Sequence, residues 1–402
     1  MNGIRHLRGL DGIRALSVIS VLVYHVGTTG GRQLLPGGFL GVDVFFVLSG
    51  FLITSLLLAE AEQSGTISLR AFYLRRAKRL LPALYAVLVV VSLVGVSMVP
   101  QQVARLRGDV VAALGYGTNW WLIHQNSSYF GAGGDRQPLL NHLWSLAVEE
   151  QFYVLWPLLL VAVLAGTRRR GPLLALTCAL IVGSTALAAA LFDPFGDPSR
   201  VYFGTDTRAA TPLVGAALAI AVRPWRRRLI VPRIRIVALD AAAVLALVVL
   251  AVAVLSADHT GPLLYRGGFL LVALVAGVLI SAVSHPLSRV AGLLDARALR
   301  WLGVRSYGLY LWHWPVFVLI PGTGVLSAAA KVLTSVVLAV VSYELVEQPV
   351  RRSSFARVRA SRGGVRFRLL AHATVFVLVA GLAATGAGFR LVTAPTPAAA
   401  GP

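Results

Sequence analysis

"GLDGIRALSVISVLVYHVGTTGGRQLLPGGFLGVDVFFVLSGFLITSLLL" runs from Gly9 to Leu58 and decides how the chain is read. Two long apolar segments flank a glycine-rich connection. Arg14, His25, Asp43 and Ser49 sit inside these segments. An ionisable side chain in hydrocarbon is costly, so its presence there marks a functional hypothesis by default. His25 lies near the end of the first segment and Asp43 near the start of the second. If the helices form a hairpin, the two side chains approach. A histidine beside a carboxylate in a dry pocket is a general-base pair.

The rest of the chain supports a membrane setting. It has 402 residues, 57% hydrophobic and 13% charged, with mean hydropathy +0.76. A soluble domain carries about 25% charged residues. The fold class is therefore an all-α polytopic membrane protein. The net charge of +21 and pI near 11.4 would point to nucleic acid in a soluble protein. Here topology accounts for the charge, and no nucleic-acid partner is expected. The lone cysteine, Cys178, lies in an apolar run. It has no internal disulfide partner, thiolate metal sites are excluded, and no metal is expected. The first apolar run carries Arg14 and no small-residue cleavage site follows it, so it does not read as a signal peptide.

A bilayer span needs about 20 apolar residues. Eleven stretches are candidates: roughly 11–29, 39–59, 80–99, 144–166, 172–192, 207–222, 236–256, 268–284, 306–321, 327–346 and 369–390. The stretch 110–123, "VVAALGYGTNWWLI", is short and interrupted by glycine, and reads as interfacial or re-entrant. With the N-terminus in the cytoplasm, the inner segments hold 28 of the 37 Lys and Arg. The outer loops hold Arg32, Arg105, Arg107, Arg136, Arg200 and Arg266; Arg208, Lys331 and Arg390 sit at span ends. That asymmetry follows the positive-inside rule and puts the C-terminus outside the cell membrane. Residues 1–352 then form a ten-helix core, 353–368 a basic cytoplasmic linker, 369–390 an eleventh helix and 391–402 an outer tail. The tail, "LVTAPTPAAAGP", has the composition of a linker.

Seven blocks occur in order: "LDGIRALSVISVLVYH" (10–25), "GGFLGVDVFFVLSGFLIT" (37–54), "FYLRRAKRLLPAL" (72–84), "HLWSLAVEEQFYVLWP" (142–157), "YFGTDTRA" (202–209), "SYGLYLWHWPV" (306–316) and "YELVEQPVR" (343–351). In these blocks the chain resembles the acyltransferase family 3 membrane proteins, which acylate surface sugars and some small molecules. The resemblance covers residues 10 to about 352. It implies a cytoplasmic acyl-CoA donor, acetyl-CoA first among them, and an acceptor hydroxyl on a cell-envelope glycan or glycolipid. It also implies that a last span of this kind leads to an extracytoplasmic SGNH-type domain. The tail is then the start of a linker to such a domain, a docking point for a separate one, or a vestige.

The resemblance places the family's essential histidine at His25. Eleven residues beyond Arg14, at ~1.5 Å rise per residue, His25 lies ~16 Å up the helix. Donor and acceptor from opposite sides could meet at that depth. His25 is expected to take the proton from the acceptor hydroxyl, with Asp43 orienting it or balancing its charge. Asp43 is equally placed to sit at a helix N-terminus for the macrodipole alone. Ser49 and Gly50 read as close helix packing rather than as a nucleophile. Glu149 and Glu150 complete the catalytic candidates. Adjacent helix residues point about 100° apart, so one faces the cavity and the other pairs with an arginine such as Arg208; which is which stays open.

Arg14, Arg75, Arg76 and Arg79 are candidates for the CoA phosphates, because guanidinium forks match phosphate oxygens. Any inner loop is basic for topology alone, and only Arg14, inside a span, escapes that explanation. Acceptor-side candidates are Asn119, Trp120, His142, Asp206, Arg208, Tyr310 and His313. Asp206 with Arg208 reads as an ion pair at the sixth span, and Glu347 with Arg351 as a salt bridge closing the tenth. Trp120, Trp121, Tyr129, Trp144, Tyr153 and Trp156 read first as an interfacial aromatic belt. Two other functions fit the buried charges: an acyltransferase tailoring a small-molecule natural product, and a transporter or flippase without chemistry. The second leaves the ordered blocks unexplained.

Overall fold

The computed structural model describes residues 7, 9–30, 34–99, 103–130, 137–167, 169–226 and 232–352. The basic linker, the expected eleventh span at 369–390 and the tail lie outside the described residues. Among those described, the chain is helical with no strand.

The first span is α1 (Leu10–Gly30). A 3-10 turn at Gly38–Leu40 opens α2 (Gly41–Ser64). Gly65 ends α2 with φ of 73°, a left-handed cap that glycine adopts without steric cost. Ser68 then caps α3 (Leu69–Met98), its hydroxyl accepting from the Ala71 N–H. The stretch expected to be interfacial forms two short helices, α4 (Val103–Leu114) and α5 (Thr118–His124). Next come α6 (Leu143–Thr167) and α7 (Arg170–Leu191). Short α8 (Ser199–Phe203) and α9 (Thr205–Arg208) lead into α10 (Ala210–Val222). The chain continues through α11 (Arg233–Ser256), α12 (Phe269–Val283), α13 (Arg289–Leu294) and α14 (Arg297–Leu319). It closes with α15 (Val325–Ser342) and α16 (Gln348–Arg352).

Every expected span within the described residues is a helix. Eight are long and apolar enough to cross a bilayer: α1, α2, α3, α6, α7, α11, α12 with the turn before it, and α15 with its continuation to Arg352. The other two differ for visible reasons. At 13 residues α10 is about 20 Å long, short of the ~30 Å hydrocarbon layer. α14 has 23 residues, but Arg297, Arg300 and Arg305 occupy its first turns.

α2 is the enclosed helix of the bundle. It packs on α10 where glycine lets the backbones touch. A Cβ on Gly50 would stand 1.8 Å from the Pro212 carbonyl oxygen, and one on Gly215 would stand 2.0 Å from that of Val47. Ser49 is thereby held beside Gly50 on a backbone that cannot drift. α11 buries only Ala243 and Ala246 and turns its Val and Leu side chains outward, as a lipid-facing helix does. The loops after α2, α6 and α10 and the segment before α14 make one end of the bundle, here the arginine end. The opposite end carries α4, α5, α8 and α9.

Candidate active site

A cavity opens between α1, α2, α3, α6 and α14. It holds about 700 Å³ of space not filled by protein, its open mouth included. Arg14, Arg76 and Arg79 line it, with Ser49, Glu149 and Tyr153 on its wall. Arg14 is anchored by Asp11 at 2.9 Å, one helical turn away. The Arg76 guanidinium lies 5.3 Å from the Tyr153 ring centroid and 5.6 Å from that of Phe72, cation–π contacts that hold it in place. Arg75, expected to share this work, reaches Glu60 at 3.2 Å instead and is half exposed. One residue along a helix turns the side chain about 100°, so Arg75 cannot follow Arg76 into the cavity.

The same rotation separates the two glutamates. Glu149 faces the cavity and accepts hydrogen bonds from Ser49 and Tyr153. Tyr153 lies four residues on, on the same helix face, and its hydroxyl oxygen is also 2.9 Å from Ser49 Oγ. Glu150 faces a small separate space bounded by Tyr116, Thr118 and Tyr307. Neither pairs with Arg208.

The cavity ends at Tyr310 and Ser145, whose hydroxyl oxygens are 2.5 Å apart. Tyr310 also donates to the His142 carbonyl at 3.0 Å. Behind this closure lie three buried imidazoles. His25 Nδ1 is 3.1 Å from His313 Nε2, and His25 Nε2 is 3.2 Å from the Tyr129 hydroxyl. His313 Nδ1 donates to the Tyr310 carbonyl. His142 stands edge-on to His313, ring centroids 5.6 Å apart, and donates from Nε2 to the Leu311 carbonyl at 3.1 Å. Pro315 explains that last bond. It has no N–H, so the carbonyl four residues earlier in α14 lacks its helical donor, and His142 supplies one. His313 and His142 were expected to face the acceptor; both are buried, and neither lines the cavity.

Three expected pairs are exchanged for others. Asp43 does not bond to His25: its Oδ1 accepts from Arg208 Nη2 at 2.7 Å and from Thr211 at 3.4 Å. Arg208 therefore does not pair with Asp206. The Arg208 guanidinium sits 3.7 Å from the Phe269 ring centroid and 5.1 Å from that of Tyr202. Asp206 takes both Arg200 nitrogens at 3.1 and 2.8 Å. Burial alone would lift the Asp206 carboxyl, but the Arg200 fork and the Thr207 N–H outweigh it and hold the pKa below the usual range. Glu347 is buried and leaves Oε1 without a hydrogen-bond partner, while Arg351 lies over the Tyr343 ring.

At the end opposite the arginines, Asn119 donates to Thr205 at 2.8 Å and to the Phe203 carbonyl at 3.1 Å. Gln151, which the sequence reading passed over, bridges Asn119, Thr205 and the Tyr116 carbonyl. Trp120 is exposed beside it, under Arg200. Asn119 is fully buried, so its bonds brace α5 against α8 and α9. Tyr129 belongs to no belt: it packs among Trp144, Tyr202 and Phe203.

A histidine held between a second imidazole and a tyrosine hydroxyl, one layer beyond a cavity lined with arginine, is equipped for proton transfer next to an anionic donor. Comparison with known proteins gives the family. The model of the family described as "Acyltransferase domain" matches residues 7–343. The chain belongs to this acyltransferase family. Among curated proteins, the "Putative peptidoglycan O-acetyltransferase YrhL" of Bacillus subtilis is 42% identical over 362 residues, covering 87% of this chain and 56% of that protein. The "Peptidoglycan O-acetyltransferase OatA" of Listeria monocytogenes is 40% identical over 358 residues, with 87% and 57% covered. A "Putative O-acetyltransferase" of Staphylococcus aureus is 36% identical over 354 residues, with 87% and 58% covered. The chain thus spans a little over half the length of these relatives. No solved structure matches it. As a family member with eight apolar helices of spanning length among its described residues, the chain is a multi-pass membrane protein.

Proposed function

We propose that this chain is the membrane part of an O-acetyltransferase that moves an acetyl group from cytoplasmic acetyl-CoA to a hydroxyl of a cell-envelope glycan. The observation that carries the reading is a basic cavity lined at one end by Tyr310 and Ser145, with Tyr310 bonded directly to the segments that hold the buried histidine relay. Arg14, Arg76 and Arg79 offer forks to the phosphates of CoA, and the thioester extends past Ser49 and Glu149 toward Tyr310. Passage to His25 requires the Tyr310–Ser145 contact to open. The names of the relatives favour a peptidoglycan sugar as acceptor.

The chemistry balances without another reactant. The acceptor O–H gives its proton to His25 Nε2. The oxygen attacks the thioester carbonyl carbon, the C–S bond breaks, and the CoA sulfur takes the proton back from Nε2. The products are an ester and free CoA. A second route is favoured by the Tyr129 hydroxyl, which stands 3.2 Å from the nitrogen that must receive the proton. In that route Tyr129 carries the acetyl group as an aryl ester and passes it to the acceptor. The resemblance, in which a last span of this kind leads to an SGNH-type domain, favours an extracytoplasmic domain or partner of that type receiving the group.

The test is to purify the protein, add labelled acetyl-CoA and a panel of cell-envelope glycan fragments, and identify the acylated product. Thioester consumption that depends on glycan supports the reading. Movement of a solute across vesicles without any thioester consumption replaces it with a transporter. Tyr129→Phe separates the routes: direct transfer survives it and the aryl ester does not.

A further inference from the structure

We infer that His313 is a positioning residue that fixes the tautomer of His25, making Nε2 its basic nitrogen. The inference rests on the reading of His25 as the base and assigns the group that makes it one.

The argument is a count of protons along hydrogen bonds. A carbonyl oxygen can only accept. His313 Nδ1 is hydrogen-bonded to the Tyr310 carbonyl, so Nδ1 carries the proton. A neutral imidazole has one N–H, so His313 Nε2 presents a lone pair. His25 Nδ1 lies 3.1 Å from that lone pair and must be the donor. His25 Nε2 is then bare, and it is the nitrogen 3.2 Å from the Tyr129 hydroxyl. The third imidazole does not compete for that lone pair, because the His142 N–H is committed to the Leu311 carbonyl. The two nitrogens of a histidine are distinct, and the bond made by one decides the state of the other.

This arrangement does with a neutral ring what a carboxylate does in a hydrolase triad. The nearest carboxylate on α2, that of Asp43, is bound to Arg208 and is not available. Burying a neutral acceptor costs far less than burying a second charge. When Nε2 takes a proton, His25 Nδ1–H keeps its bond to His313, and the charge that develops is shared along the chain His25, His313, Tyr310 carbonyl. The relay also has a direction. Its locked end is α14, anchored by a backbone carbonyl, and its basic end faces the loop that carries Tyr129. A proton is therefore taken from that side and not from within α14.

Two measurements test this. The first is nitrogen-15 NMR of histidine-labelled full chain in lipid, with the His25 signals assigned by their loss in His25→Ala. The expected spectrum has His25 protonated on Nδ1 and bare on Nε2; the reverse overturns the inference. This arm needs no substrate, so it stands even if the acyl-transfer reading fails. The second compares His313→Gln with His313→Phe in CoA release from acetyl-CoA in the presence of peptidoglycan fragments. Gln Oε1 can accept from His25 Nδ1, whereas Phe fills the space with no acceptor. Glutamine should retain kcat within about tenfold, and phenylalanine should lose at least about 100-fold with KM for acetyl-CoA unchanged. A phenylalanine variant as active as the glutamine variant overturns the inference, since packing would then be the whole role.

Discussion

Asp43 and Arg208 form an ion pair 2.7 Å across in the centre of the bundle, with both side chains essentially removed from solvent. It joins α2 to the turn before α10, beside the close approach of Gly50 and Pro212. The pair is incompletely satisfied: Asp43 Oδ2 and Arg208 Nε and Nη1 have no hydrogen-bond partner. Removing one partner leaves the other buried and uncompensated, which costs about 3–5 kcal/mol.

Asp43→Asn and Arg208→Met should therefore each destabilise the protein by roughly that amount, while Asp43→Leu combined with Arg208→Met recovers much of the loss. Thermal unfolding in detergent checks this. A double variant no better than either single one would mean that the pair does not act as a unit.

His25→Ala should leave the protein folded and still able to bind CoA while lowering turnover by about 100-fold or more. Equilibrium binding of CoA and CoA release from acetyl-CoA give the two readouts. Turnover near wild type would remove His25 from the reaction.

The proposed donor cavity divides the arginines unevenly. Arg76→Ala and Arg79→Ala should each weaken CoA binding at least about tenfold, the loss of one charge-assisted contact. Arg75→Ala should have little effect, because Arg75 is spent on Glu60. The differences should shrink in high salt, where screening already erodes the attraction. Equal losses at 75 and 76 would place the phosphates outside the cavity.

The helices were legible because period and hydropathy are local properties: α1 and α2 fall where the sequence puts them, while α3 ends as expected but begins eleven residues before the span at 80–99, its first turns carrying the basic residues 70–79. The partners were not. His25 and His313 are 288 residues apart, and Asp43 and Arg208 are 165 apart. No local pattern distinguishes Arg208 bonded to Asp43 from Arg208 bonded to Asp206 two positions away; that depends on how α10 docks on α2. Some of the site was nevertheless within reach. Tyr153 stands four residues after Glu149, on the same face, and Arg75 and Arg76 could not share a direction. Pro315 announced a free carbonyl at Leu311, although nothing in the sequence says that His142 fills it.

His259 gives the protein a pH response outside the membrane spans. Its ring stacks on Phe130, centroids 4.5 Å apart, next to Tyr129. Burial pulls the imidazole below its usual range, against the opposing charge of Asp258. The folded state thus binds this proton less readily than the unfolded state. The stability it contributes is complete above about pH 6.5 and is lost as pH falls below that toward the folded value. The unfolding midpoint should drop between about pH 7.5 and about pH 5.5. His259→Phe, which keeps the stack without the titration, should flatten that dependence. An equal drop in the variant would assign the response to other groups.

The side on which the arginines lie can be read with the chain's own chemistry. Cys178 is the sole cysteine, so Cys178→Ser gives a background without thiols. Thr66 is exposed in the turn between α2 and α3, and Phe195 is 99% exposed after α7. Three helices of spanning length, α3, α6 and α7, lie between them. An odd number of crossings puts the two positions on opposite sides of the membrane. The arginine-rich loops belong with Thr66, so the positive-inside rule assigns Thr66 to the cytoplasm and Phe195 to the exterior. A membrane-impermeant thiol reagent applied to intact cells should then label Phe195→Cys, and should label Thr66→Cys only after lysis. Labelling of Thr66→Cys alone would invert the molecule and move the donor cavity to the wrong face for CoA. Labelling of both from outside would require α4 with α5 to cross as well, and would break the alternation on which the assignment of every later loop depends.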